Sequence, residues 1–115
     1  MSEASSDLEN WQMEAESVIN DVKDHVNELK ISQKLGSSNQ FIYLNLRTIE
    51  NEEFCIELSA RGFRIVGRSF DTNSIDSDEY FETPYSLLNS VSKKFKDSFG
   101  NALLEKLGEL TYRLV

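Results

Sequence analysis

The chain has 115 residues, 39% of them hydrophobic and 28% charged, and a formal net charge of −8. That length suits one domain and that composition a folded one, while the acidity disfavours nucleic acid or an anionic membrane surface, whose phosphates call for clustered Lys and Arg. Cys55 is the only cysteine and His25 the only histidine, so neither an internal disulfide nor a Cys/His zinc site can be built.

The opening "MSEASSDLENW" is acidic and lacks an apolar stretch, so it reads as neither a signal nor a transit peptide. No apolar run approaches the ~18 residues a membrane span needs, and the expected location is cytoplasmic, or also nuclear. Residues 1–7, small, polar and acidic, are expected to form a flexible tail ahead of a single domain over 8–115. From Leu8 the pattern is helical. Leu8, Trp11, Ala15, Val18, Ile19, Val22, His25, Val26 and Leu29 fall within an arc of about 120° at the helical advance per residue. Ser5, Ser6 and Asp7 are available as N-caps.

After Lys30 the pattern changes. "ISQKLGSSNQ" accommodates a short strand and a Gly/Ser turn. "FIYLNLRTI" alternates, with Ile42, Leu44 and Leu46 on one side and Phe41, Tyr43 and Asn45 on the other. "ENE" reads as a hairpin turn, followed by "FCIEL" with Phe54, Ile56 and Leu58 on one face, then a turn at "SARG" and the strand "FRIVGRSF". An antiparallel meander of three to four strands follows, with one apolar and one more polar face. The acidic loop "DTNSIDSDEYFETP" leads to a short helix opening on Pro84, and Ser92 is placed to cap a final helix over about 93–113. The fold class is α+β, with a long N-terminal helix and C-terminal helices packed on the sheet.

The chain offers little to catalysis. If Asp71 opens an EF-hand loop, Asn73 and Glu82 fall at its third and twelfth positions. Ile75 and Asp76 then stand where an oxygen ligand and a glycine are required, so a solvated acidic loop is expected and no metal. His25, at the edge of the helical stripe and with no second histidine to act with, reads as a packing residue. Cys55 alternates with glutamates, which would raise its pKa and dull it as a nucleophile. No Walker, HExxH, GxSxG or dinucleotide motif occurs, and neither enzymatic activity nor a cofactor is expected.

The closing stretch is the informative one. Phe95, Phe99, Ala102, Leu103, Leu107, Leu110 and Leu114 span an arc of about 140°, and Leu104 lies about 60° beyond it, beside Gly100 and Thr111. One arc suits packing on the protein's own sheet. The wider apolar surface suits either a helix sandwiched within its own fold or a second contact of the helix-in-groove kind.

"EAESVINDV", "YFETPYSLL" and "FGNALLEKL" resemble the GSKIP family, the glycogen synthase kinase 3 interaction proteins. The resemblance implies a small non-enzymatic adaptor that binds glycogen synthase kinase 3 through its C-terminal helix, and a monomer is expected. The kinase-binding helix of axin is similar: it places Phe and then apolar residues four, five, eight and eleven positions on, here Phe99, Leu103, Leu104, Leu107 and Leu110. With Phe95 these are the kinase-binding residues that the resemblance implies. Docking in that groove, away from the ATP site, would compete with axin and inhibit phosphorylation of axin-scaffolded substrates such as β-catenin, a role in Wnt signalling. Gly100 would leave the face open at a propensity cost near ~1 kcal/mol.

The family also implies anchoring of protein kinase A through its type II regulatory subunits, here by Val18, Ile19, Val22 and Val26. The chain departs from that pattern at Lys23 and Asp24, where anchoring members tend to carry bulky apolar residues.

Overall fold

The structure, a computed structural model, describes residues 2–97. Helix α1 (Ser2–Val22) is followed by a 3-10 turn (Lys23–His25) and by strands β1 (Glu28–Ile31), β2 (Phe41–Arg47), β3 (Glu53–Ser59) and β4 (Gly62–Gly67). Helix α2 (Pro84–Val91) comes next, and residues 93–97 are again helical, here α3. The strands form one antiparallel sheet in the order β1-β2-β3-β4, so the α+β meander stands with four strands.

The first helix differs from its sequence pattern at both ends. It begins at Ser2, inside the stretch that reads as a tail, because residues 2–22 contain neither Gly nor Pro to stop it. Ser5, Ser6 and Asp7 therefore lie within the helix and are not its caps. At the other end α1 stops at Val22 instead of running on to Leu29. Val26 is fully extended at φ −139°, and the Asn27 amide donates to the Arg47 carbonyl at 3.0 Å, the first rung of the pairing with β2. Leu29 and Ile31 then face the core with alternate spacing. Leu29 satisfies a period of 3.6 from above and a period of 2 from below, and the ladder decides between them.

One face of the sheet carries Ile42, Leu44, Leu46, Phe54, Ile56, Leu58 and Phe63, covered by Ala15, Val18 and Val22 of α1, by Leu87 and Leu88 of α2, and by Phe95. The other face, the wetter one by its sequence pattern, nevertheless buries Tyr43, Asn45, Cys55 and Glu57. The loops after β1 and β4 fold over it: Leu35 packs on Tyr43, Cys55 and Val66, and Asp71 sits against Asn45. A bulge feeds this second layer. Cys55 pairs with Gly67 while Ile56 pairs with Ile65, so Val66 is the extra residue and drops into the smaller cluster.

The β3–β4 connection is a two-residue turn over Ala60 and Arg61, with Ser59 opposite Gly62. Beyond β4, Phe81 bridges Phe63, each amide donating to the other's carbonyl at 2.8 Å, which closes that sheet edge. Thr83 caps α2, its Oγ1 accepting from the Ser86 amide at 3.1 Å, and Pro84 occupies the first turn as its sequence position predicts. Among the described residues no helix is long and apolar enough to cross a membrane.

Candidate functional site

The sequence draws attention to two surfaces, the C-terminal helix and the face of α1, and the structure treats them differently. The described part of the first, α3, is entered through a junction built by distant parts of the chain. The β2–β3 turn is drawn tight around Thr48, which is fully buried. Its amide donates to the Glu52 carbonyl and its own carbonyl accepts from the Asn51 amide, both at 2.9 Å. Its hydroxyl accepts from the Glu52 amide at 3.2 Å. Asn51 adopts the left-handed conformation, φ 68°, which asparagine tolerates better than most residues, and its Oδ1 accepts from Asn27 Nδ2 at 2.6 Å.

This rigid turn presents Glu50 to the start of α3. Ser92 Oγ donates to Glu50 Oε1 and the Lys94 amide donates to Oε2, both at 2.8 Å. Ser92 Oγ in turn accepts from the Phe95 amide at 3.0 Å, the N-cap bond expected of it. Burial would raise the pKa of Glu50, but the bonds from the Lys94 amide and the Ser92 hydroxyl outweigh it and hold the carboxyl at about 2. A negative charge is also favoured where unpaired amides open a helix. Nothing in the sequence marks Glu50 out, since its partners lie some forty positions away.

Phe95, assigned to the kinase-binding set by resemblance, is fully buried in the main core, its ring meeting that of His25 edge-on at 5.8 Å. It therefore anchors the helix and presents no surface to a partner. Phe99, Leu103, Leu104, Leu107 and Leu110 lie outside the described residues.

The face of α1 is already spent on the fold. Val18 is 6% exposed and Val22 fully buried, while Ile19 and Val26 are half-buried against the same core. At the N-terminal end Trp11 Nε1 donates to the Asn39 carbonyl at 3.0 Å, fastening the helix to the loop before β2. Met13, 66% exposed, lies on the outer side.

The remaining candidates serve the second core layer. Cys55 is fully buried, and its thiol is pushed up chiefly by that burial; the carboxylate that adds to the effect is Asp71, not a glutamate of its own strand. Asp71 Oδ1 accepts from Ser32 Oγ at 2.5 Å and from Asn45 Nδ2 at 2.8 Å, while its amide donates to Asn45 Oδ1 at 2.8 Å. The bonds to Oδ1, Asn45 first, lower its pKa and spend that oxygen on the fold. Among the described residues no group of three or more His, Cys, Asp or Glu could hold a metal ion. Glu57 pairs with Arg64 at 2.9 Å and accepts from the Tyr43 hydroxyl at 3.3 Å, a buried charge compensated within the layer.

What this arrangement holds firmly is the base of a helix. A family model for the GSKIP domain matches residues 11–110. The chain belongs to the GSKIP domain family. A GSK3-beta interaction protein of Danio rerio is 40% identical over 105 residues, covering 90% of this chain and 79% of that protein. The human GSK3B-interacting protein is 38% identical over 108 residues, covering 91% and 76%. A GSKIP homologue of Drosophila melanogaster is 28% identical over 90 residues, 76% of each chain. The GSKIP match continues to residue 110, past Phe95 and through the apolar stripe that follows it.

Proposed function

We propose that this protein is a non-enzymatic adaptor that binds glycogen synthase kinase 3 through the segment following Phe95 and so restrains phosphorylation of scaffolded substrates of the β-catenin type. The observation that carries this reading is the extent of the similarity. Relatives named for interaction with GSK3-beta align over nine-tenths of the chain, and the family match includes Phe99, Leu103, Leu104, Leu107 and Leu110. Phe95 and the Glu50–Ser92 junction supply the firm base that a helix needs in order to present apolar side chains to a groove.

The test uses the purified full chain and purified glycogen synthase kinase 3β. Binding is expected, an axin peptide should displace it, and Leu104→Glu should weaken it at least tenfold, since a charge placed in an apolar groove is left desolvated and unpaired. Retention of full affinity by Leu104→Glu would remove that leucine from the interface. Kinase assays on an axin-scaffolded substrate then test inhibition, which should be lost in the same variant.

Anchoring of a protein kinase A regulatory subunit by Val18, Ile19, Val22 and Val26 is the competing reading, and the packing weighs against it. Offering Val18 and Val22 to a partner requires α1 to leave the sheet. The full chain is therefore expected to show no micromolar binding to a type II regulatory-subunit dimer in fluorescence anisotropy. Saturable binding there would establish an opened form of the domain.

A further inference from the structure

The base of α3 is tied to a turn that has no local reason to be near it. Glu50 reaches from between β2 and β3, and with its two oxygens takes one hydrogen bond from the Ser92 hydroxyl and one from the Lys94 amide. Four further bonds fix the turn itself, from the Thr48, Asn51 and Glu52 amides and from Asn27 Nδ2. Ser92 is 1% exposed, its amide donates to the Leu88 carbonyl at 2.8 Å, and so α2 and α3 meet at one fixed residue. Three positions on, Phe95 is sealed against the same core. Two constraints, a bidentate polar clamp and a buried ring, thus act within a single helical turn.

We infer that Glu50 is a positioning residue for partner binding: by clamping the first turn of α3 to the β2–β3 hairpin, it sets the direction in which the chain leaves residue 97 and thereby the affinity of the kinase-binding segment. The inference rests on the proposed binding to glycogen synthase kinase 3. Its physical basis is pre-organisation. A recognition helix already aligned on its domain loses less freedom on docking than one that swings about its first turn. Capping a helix start also favours the helical state of the residues that follow, because it satisfies donors that are otherwise unpaired.

The experiment compares the full-length wild type with Glu50→Ala and Glu50→Gln, measuring affinity for purified glycogen synthase kinase 3β by isothermal titration calorimetry, well below the thermal midpoint of each variant. Amide hydrogen exchange is followed in parallel. Glu50→Ala should bind about five- to twentyfold more weakly, with exchange at Lys94 and Phe95 accelerated beyond the uniform fall in protection that the lost clamp brings to β2 and β3. Glu50→Gln keeps one oxygen acceptor and should fall between the two. A larger loss of protection at Lys94 and Phe95 than in the sheet separates positioning from general damage to the fold. Affinity of Glu50→Ala within about twofold of wild type overturns the inference and leaves the binding reading standing. Failure of the wild type to bind the kinase overturns both.

Discussion

Gly62 sits at φ 118°, where a side chain is strained, and a Cβ there would run into the Phe81 carbonyl. The position ends a two-residue turn and sits beside the Phe63–Phe81 bridge that closes the β4 edge. The sequence shows a glycine in "SARG" and so predicts a turn, but it does not reveal that a second strand-like segment crosses directly over it. Gly62→Ala must both occupy a disfavoured backbone region and displace backbone atoms of residue 81, at a combined cost of about 2–4 kcal/mol. Urea unfolding followed by Trp11 fluorescence should show that loss. Alanine at Gly36, where an added methyl group would meet nothing within 4 Å, should change stability far less. Cys55 teaches a related lesson. Its sequence neighbours suggest a thiol dulled by glutamates, and it is dulled instead by burial beneath a loop whose fold over the sheet no local pattern announces.

At the scale of elements, the apolar alternation of β2 and β3 is fully legible, because one wholly apolar face fixes which residues point to the main core, although both faces are buried. The boundary of α1 is not legible. The apolar residues from Leu8 to Leu29 keep helical spacing throughout, and only the energy of pairing Glu28–Ile31 with Leu44–Arg47 tells the chain to stop. The function of α1 follows from its packing. Val22, at its last turn, is completely enclosed by the main core, whereas Met13 lies out in solvent. Val22→Ala deletes two buried methyl groups and should destabilise the domain by about 2 kcal/mol in chemical denaturation, with Met13→Ala within about 0.5 kcal/mol of wild type. If Val22→Ala is neutral, the face of α1 is not committed to the core and is free to serve in anchoring.

Across the whole molecule, carboxylates tie distant segments to the sheet, and their charge state sets how the domain responds to acid. Glu50 clamps the start of α3 and is held at about 2 by donors that overcome its burial. Glu53 is lowered first by Arg47 and then by the Phe70 amide, joining the β4 exit to the sheet. Asp71 is lowered by Asn45 and Ser32, joining the same loop to β1 and β2. Each group has a lower pKa folded than unfolded, so the unfolded chain takes up protons first as pH falls. The stability these ties contribute is complete above the ordinary carboxylate values of 4.5 and 3.8 and drains away as pH drops towards about 2. The urea midpoint should therefore hold level from about pH 7 to 5 and fall steadily below about 4.5. Glu50→Gln cannot titrate, so its curve should start lower at about pH 7 and converge on that of the wild type only near about pH 2. Parallel curves for the two proteins over that range would mean that Glu50 carries no charge-dependent share of stability, and that the clamp on α3 does not depend on its carboxylate being ionised.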